Sequence, residues 1–149
     1  MIRKARIEDI AQIHVLINQF AKHELMLPRS LSELYEALRD FWVCEQRNRI
    51  VGCCALHITW EDLAEIRSLA IKSQWQKKGI GSQLINVAIK EARQLGCKSI
   101  FALTYIPDYF KQFGFRRINK EKLPHKIWAE CITCPKFPDC KEIAIIKRL

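Results

Sequence analysis

The sequence predicts a single α/β (α+β) domain, residues 1–149, on three observations. Apolar residues recur at helical spacing in two long segments, and short apolar runs typical of strands lie between and after them. A glycine-containing turn at 76–81 joins one of these runs to the second helical segment. The length fits one domain with a substantial core, and the sequence shows no internal repeat, linker composition or low-complexity stretch.

The chain is predicted to begin with a short strand and a long helix. We expect the strand at residues 2–5 and the start of the helix at 7–9, where Glu8 and Asp9 place acidic side chains in the first turn. Apolar residues then recur at helical spacing, at Ile10, Ile13, Leu16, Ile17 and Phe20.

A loop and a second helix follow. Residues 25–30, with Pro28, predict the loop, and either Ser30 or Ser32 can cap a helix that runs to about residue 40. We expect this helix to present its apolar side chains to the core, namely Leu31, Leu34, Tyr35 and Leu38.

Five strand-like runs occupy the middle and the end of the chain. They are residues 41–45, 50–60, 64–71, 99–104 and 143–146. The polar residues 46–49 separate the first two runs and predict a β-hairpin.

Two further helices are expected. Residues 82–95 form an amphipathic segment that ends at Gly96, a common helix terminator, and residues 108–113 can form a short helix that ends at Gly114. The first of these helices is expected to bury Leu84, Ile85, Ala88, Ile89, Ala92 and Leu95.

The charge favours anionic partners. The formal net charge is +9, which suits a CoA-like nucleotide, an acidic small molecule, nucleic acid or an anionic membrane without choosing among them. No apolar run approaches transmembrane length, and residues 1–6 lead into an amphipathic segment rather than the apolar core of a signal peptide. We therefore expect a cytoplasmic protein with no membrane partner.

Seven cysteines are many for this length. Four lie in core-like runs, where cysteine packs as a small apolar residue: Cys44, Cys53, Cys54 and Cys97. The other three, Cys131, Cys134 and Cys140, lie in a C-terminal loop at about 124–141, close to His125. We expect no metal, since a structural zinc site needs four ligands in a recognised spacing. Zinc at these three cysteines, or a disulfide, is the alternative to thiols that only pack.

The turn at 76–81 carries the most specific chemistry. It reads Gln-Lys-Lys-Gly-Ile-Gly between a strand and a helix, an arrangement that leaves backbone N–H groups unpaired at the positive end of a helix dipole. Lys77 and Lys78 add positive charge, and the two glycines let a phosphate approach the backbone. The spacing is neither a Walker loop nor a Rossmann fingerprint. A ligand that carries a polyphosphate is therefore predicted.

This turn resembles the acetyl-CoA-binding motif of the GNAT acetyltransferase superfamily, Q/R-x-x-G-x-G/A after a strand, and the predicted element order is also that of the superfamily. The resemblance implies a mixed central sheet with helices on both faces. Its fourth and fifth strands run parallel and splay apart, so that the pantetheine arm of the cosubstrate, acetyl-CoA, enters between them. The implied cofactor-binding residues are Leu69, Ala70, Ile71, Gln76, Lys77, Lys78, Gly79, Ile80, Gly81, Ser82, Tyr109 and Phe110.

Acetyl transfer to an amine needs a base, and Glu65 is the candidate. It lies on the fourth strand in an otherwise apolar stretch, upstream of the glycine turn. Arg67 should project from the same face unless a bulge, common at this place in the superfamily, upsets the alternation. A purely structural ion pair between the two is the alternative. The backbone at 69–71 is expected to bind the pantetheine arm and polarise the thioester carbonyl.

Many superfamily members carry a tyrosine four residues before a Gly-Phe turn, where it protonates the departing thiolate. Here that position is Phe110, and the neighbouring Tyr109 is expected to point elsewhere on the helix. Either Tyr109 substitutes, or the proton comes from water or the incoming ammonium, which we favour. Packing against the cofactor alone would also explain Tyr109 and Phe110.

A closer resemblance is to the acetyltransferase domain of the N-acetylglutamate synthases. It is carried by residues 27–30, by 54–56 with 65–67, and by 101–104 with the segment that leads to Gly114-Phe115. In that family an Arg-Ser pair ahead of the second helix binds the substrate carboxylate, a strand glutamate lies beside the amine, and phenylalanine replaces the tyrosine. Arg29, Ser30, Glu65 and Phe110 match these features, with Arg67 nearby. Because these 149 residues contain no counterpart of the kinase-like domain of the long form, we expect a short, free-standing version.

The implied reaction is acetylation of the α-amino group of an acidic amino acid, L-glutamate first, as in the first step of arginine biosynthesis. An arginine suits this acceptor because its planar fork pairs with a carboxylate. One alternative is another amine, such as a protein N-terminus, a lysine or a small-molecule amine. A second is a basic nucleic-acid-binding module, but the lysines are spread along the chain and no reader motif is present. The oligomeric state, a homodimer included, stays open.

Overall fold

A mixed sheet organises the molecule. The computed structural model describes residues 1–124 and 142–149. Within them, the strands run in the order β1-β2-β3-β4-β5-β7-β6 in one seven-stranded sheet. Their bounds are β1 Ile2–Lys4, β2 Phe41–Gln46, β3 Arg49–Trp60, β4 Leu63–Ile71, β5 Ser99–Thr104, β6 Arg116–Arg117 and β7 Ile143–Arg148.

Helices cover both faces of this sheet. The α-helices are α1 Ile10–Lys22, α2 Leu31–Glu36, α3 Ile80–Gln94 and α4 Pro107–Lys111. Short 3-10 turns lie at Ile7–Asp9, Leu38–Asp40, Ser73–Trp75 and Lys120–Lys122. No helix in the described ranges is both long enough and apolar enough to cross a membrane.

The two central strands pair in parallel over a short distance only. Leu63 pairs with Ser99, Ala64 with Ile100, and Glu65 with Phe101, and no further β4–β5 pair forms within the described chain. All six residues of β5 pair with β7 on its other side. The strands therefore separate beyond Glu65, which confirms the predicted splay. Within residues 1–124 and 142–149, no strand pairs with the β4 edge beyond this point.

Alternation along the strands divides the core between the two faces. Leu56 and Ile66 pack with α3, whereas Ala55 packs with α1 and α2. The α3-side cluster contains the helix residues Ile80, Leu84, Ile85, Ala88, Ile89 and Ala92. The opposite cluster contains Ile10, Ile13, Leu16, Ile17 and Leu34. Ala55 pairs with Arg67, and His57 pairs with Glu65, two residues along each strand. All three polar side chains therefore face the same side as Ala55, towards α1 and α2.

Most predicted elements agree with the structure, but several details were wrong. Helix α3 begins at Ile80, two residues before the predicted start, so Gly81 lies inside its first turn. Leu95 is 60% exposed, because it follows the last helical residue, beyond the sheet contact. Leu31 and Tyr35 are also exposed, since only one stripe of the short α2 reaches the core. Strand β6 was not predicted, because two exposed arginines carry no strand pattern.

The four cysteines that were predicted to pack are buried: Cys44, Cys53, Cys54 and Cys97. Burial raises the pKa of the Cys53 thiol to about 12, and burial also raises the pKa of Cys54. Thiolate, the reactive form, is therefore scarce at both positions at neutral pH.

We expect neither Cys53 nor Cys54 to react with iodoacetamide in the native protein at pH 7.5, because both thiols are inaccessible and protonated. Peptide mass spectrometry after labelling, with and without urea, measures this for each residue. Both cysteines should label fully in urea. Native labelling at a rate close to that in urea would contradict the burial.

Candidate active site

A bulge in β4 shapes the centre of the sheet. Cys53 pairs with Ala70 and Ala55 pairs with Arg67, so β4 carries one residue more than β3 between these pairs. Within this bulge Ser68 has a φ of +54°, a left-handed conformation uncommon for residues other than glycine. Because the bulge follows Arg67, it leaves the alternation from Glu65 to Arg67 intact.

Glu65 and Arg67 form an ion pair at the point where the strands separate. Arg67 Nε donates to Glu65 Oε1 at 2.5 Å, and the Glu65 side chain is only 9% exposed. The predicted shared face is therefore confirmed, and the ion pair that was the structural alternative is also present.

The predicted phosphate cradle lies at the start of α3. Gly79 is the N-cap residue with a φ of +85°, and no side chain caps the helix. Gln83 N donates to Gly79 O at 3.1 Å, so the N–H groups of Ile80, Gly81 and Ser82 precede the first helical hydrogen bond. These three donors at the positive end of a 15-residue helix fit a phosphate group.

The loop that precedes the cradle is held by its own side chains. Gln76 Nε2 donates to the Ile71 carbonyl oxygen at 3.0 Å and ties the loop to the end of β4. Lys78 Nζ lies 5.4 Å from the centre of the Trp75 ring. Lys77 has a φ of +60°. The loop is thus tied to β4 and places two lysines immediately before the N-cap residue of α3.

Tyr109 points away from the position of Phe110, as expected for its neighbour on a helix, and lies against the cradle. A β-carbon at Gly81 would lie 2.6 Å from the Tyr109 hydroxyl oxygen, so the tyrosine occupies the space that any larger residue would need. Phe110 is buried in the α3-side core and packs edge-on against Phe115 at 5.4 Å. Helix α4 therefore presents a hydroxyl to the cradle and a phenyl ring to the core.

The predicted carboxylate-binding pair lies between α1 and α2. Ser30 caps α2, because its Oγ accepts a hydrogen bond from Glu33 N at 3.1 Å. Arg29 Nη1 lies 3.5 Å from Glu33 Oε2, and the Arg29 side chain is 25% exposed. Ser30 thus has a structural task in addition to any contact with substrate.

Asn18 holds the backbone of Arg29, a role that sequence reasoning missed. Its amide donates to the Arg29 carbonyl oxygen at 3.1 Å and accepts from the Arg29 N–H at 3.4 Å. A polar residue in the middle of an amphipathic helix gives no signal of such a contact, because the partner lies on a loop of unpredictable path.

His57 and Asp40 also escaped the sequence reasoning. His57 pairs with Glu65 across the β3–β4 ladder, and its Nδ1 lies 2.8 Å from Asp40 Oδ2. Only the register of the hairpin brings a histidine opposite the candidate base.

No group of three or more His, Cys, Asp or Glu side chains in the described ranges could hold a metal ion. The three cysteines for which zinc was the alternative, Cys131, Cys134 and Cys140, lie outside the described residues.

Residues 7–115 match the Acetyltransferase (GNAT) family. The chain belongs to the GNAT family. It is accordingly an acetyl-CoA-dependent N-acetyltransferase. Its sheet is splayed between β4 and β5, and the cradle at the start of α3 suits a pyrophosphate. An uncharacterized N-acetyltransferase of Chlorobaculum tepidum is 38% identical over 148 residues, which are 99% of this chain and 96% of the relative. An amino-acid acetyltransferase of Mycobacterium tuberculosis is 33% identical over 133 residues, 87% of this chain and 76% of the relative.

Solved GNAT structures resemble the whole chain. A Mycobacterium tuberculosis protein, Rv2747, in complex with CoA and NLQ, has a TM-score of 0.85 at 28% identity and covers 100% of this chain and 99% of its own. N-acetylglutamate synthase from Neisseria gonorrhoeae, complexed with coenzyme A and N-acetyl-glutamate, has a TM-score of 0.89 at 27% identity. This GNAT chain matches 35% of the length of that synthase.

We expect Gly81→Ala to weaken acetyl-CoA binding about tenfold, or about 1.4 kcal/mol. The added methyl group would displace the Tyr109 hydroxyl and crowd the helix N-terminus. Isothermal titration calorimetry with CoA measures the change.

Lys90→Ala, on the exposed side of the same helix, is the matched control and should bind CoA as the wild type does. Wild-type affinity in a folded Gly81→Ala variant would show that the close approach of Tyr109 has no bearing on cofactor binding.

Proposed function

We propose that this GNAT enzyme transfers the acetyl group of acetyl-CoA to the α-amino group of an acidic amino acid, with L-glutamate as the first candidate. The observation that carries the proposal is the buried Glu65, paired with Arg67, where β4 and β5 part. Relatives named amino-acid acetyltransferase and the likeness to N-acetylglutamate synthase support an amino-acid acceptor. A place at the first step of arginine biosynthesis and a cytoplasmic location follow as parts of the same proposal.

The chain offers two separate surfaces to the cosubstrate. The N–H groups of Ile80, Gly81 and Ser82, with Lys77 and Lys78, would bind the pyrophosphate. The open edge of β4 at 69–71 would hydrogen-bond the pantetheine arm, as a neighbouring strand does. Acetyl-CoA supplies the reactive thioester, whose carbonyl the β4 backbone would polarise.

Glu65 would receive the amine. Its carboxylate binds the ammonium form of the acceptor and takes up one proton, which leaves a neutral nitrogen able to attack the thioester carbonyl. Arg67 holds the carboxylate in position through a charged hydrogen bond before the acceptor binds. Low exposure strengthens both interactions, because little water competes for them.

Arg29 would bind a carboxylate of the acceptor. Its partner Glu33 lies 3.5 Å away with a side chain 54% exposed, so the existing ion pair is weak and open to exchange. A substrate carboxylate can instead accept two parallel hydrogen bonds from the guanidinium group. Asn18 would keep the Arg29 backbone in place during this exchange.

The departing thiolate needs a proton. With Phe110 buried in the core, the position of the usual tyrosine supplies no hydroxyl. We propose that water fills this role, or the acceptor nitrogen through the second proton that it loses, after Glu65 has taken the first. The Tyr109 hydroxyl, which lies at Gly81, would serve cofactor binding instead.

Glu65→Gln should lower kcat about 10²-fold or more while sparing acetyl-CoA affinity, because it removes the proton acceptor but keeps the side-chain shape.

Arg29→Ala should mainly raise the KM of the amino acid, about tenfold or more, through loss of a charged hydrogen bond. Thiol release from acetyl-CoA, screened over the twenty amino acids and a few polyamines, identifies the acceptor and gives both constants.

Glu61→Gln and Arg93→Ala, both at exposed positions, are the matched controls. Thiol release with polyamines but with no amino acid would exclude an amino-acid acceptor. Unchanged kinetics in both Glu65→Gln and Arg29→Ala would exclude the proposed site.

A further inference from the structure

The strand register places His57 beside the candidate base. His57 on β3 pairs directly with Glu65 on β4, and regular pairing at Leu56 and Ile66 keeps both side chains on the α1 and α2 side. Side chains of directly opposed residues in an antiparallel pair have β-carbons about 4.5–5.5 Å apart. The side chains of His57 and Glu65 therefore leave adjacent positions on the same face of the sheet.

Asp40 fixes the orientation of this imidazole. Its Oδ2 lies 2.8 Å from His57 Nδ1, an arrangement in which Nδ1 carries a proton and donates a hydrogen bond to the carboxylate. Nε2 is then the acceptor nitrogen of the neutral ring, and a second proton there gives an imidazolium beside an anionic partner. Such a pair suits a group that takes up and releases protons.

Exposure differs between the two neighbours. The side chain of Glu65 is 9% exposed, whereas those of His57 and Asp40 are 32% and 29% exposed. A carboxylate that receives a proton from each acceptor must lose it before the next turnover. At Glu65 bulk water has little access, but at His57 it has more.

We propose that His57 carries the proton from Glu65 to solvent, with Asp40 as its positioning residue; this inference rests on the proposed function. In the first step an N–H bond of the acceptor ammonium breaks and an O–H bond forms on Glu65. In the second step that O–H bond breaks and an Nε2–H bond forms on His57. The imidazolium then releases the Nε2 proton to water or a buffer base, which restores the neutral ring.

The contacts around the two groups suit this order of steps. Arg67 donates to the Glu65 carboxylate at Oε1. Asp40 occupies the other ring nitrogen of His57, Nδ1, so Nε2 is the nitrogen left to receive the proton. Among the described residues, the charged groups that we consider beside the His57 imidazole are Asp40, Glu65 and Arg67.

The test compares His57→Gln and His57→Ala with His23→Gln, a change at an exposed histidine at the end of α1. We expect kcat to fall about tenfold or more in both His57 variants, with unchanged acetyl-CoA affinity and circular dichroism. Added imidazole should restore most of the lost rate. The loss should shrink as pH rises, because hydroxide and buffer bases then accept the proton directly.

Glu65→Gln supplies the second comparison, because imidazole should not rescue a variant that lacks the first proton acceptor. Asp40→Asn should lower kcat less than the His57 variants do, since the ring remains. If His57 only joined β3 to the 3-10 turn at Leu38–Asp40 through Asp40, imidazole would not restore the lost kcat. That result, or unchanged kcat in both His57 variants, overturns the relay.

Failure of the proposed function looks different. The wild type would then release no thiol with any amino acid, and the amine that does react would be used to measure imidazole rescue in the His57 variants. Rescue with that amine would support the relay with a different acceptor, and its absence would overturn the relay.

Discussion

The site depends on one constraint, which is that β4 and β5 stay paired for only three residues. Strand β5 is committed to β7 along its whole length, while the bulge at Ser68 turns β4 out of register with β3 and bends it. Backbone groups at the edge of a strand need a partner. In a GNAT acetyltransferase the gap between these strands is therefore a place for an extended ligand with amide groups, and the pantetheine arm is such a ligand.

The proposed catalytic and cofactor-binding residues occupy opposite ends of this gap. Glu65 belongs to the last parallel pair, so its carboxylate lies where the gap begins. The α3 N-terminus follows β4 after the turn that Gln76 ties to Ile71. A ligand anchored at the cradle by its phosphates and lying along the β4 edge would end near Glu65. Strand β4 therefore sets the positions of the phosphate cradle, of the edge proposed to bind the pantetheine arm, and of Glu65.

Local chemistry made much of this predictable. Gly79 and Gly96 stand where positive φ angles are required, and Ser30 caps a helix with Glu33 three residues on. The contacts that escaped prediction link distant segments. His57 meets Glu65 through hairpin register, Asn18 meets Arg29 through the path of a loop, and Tyr109 meets Gly81 through the packing of α4 on α3. Residue spacing within one helix or strand carries no information about contacts between distant segments.

Amide hydrogen exchange with and without CoA tests the central claim most directly, because it reports on the backbone groups that the open edge leaves available. We expect CoA to slow exchange at residues 69–71 and 80–82, and to leave the hairpin turn at 46–49 unchanged. CoA binding demonstrated by calorimetry, without slower exchange in either of the first two segments, would contradict the account.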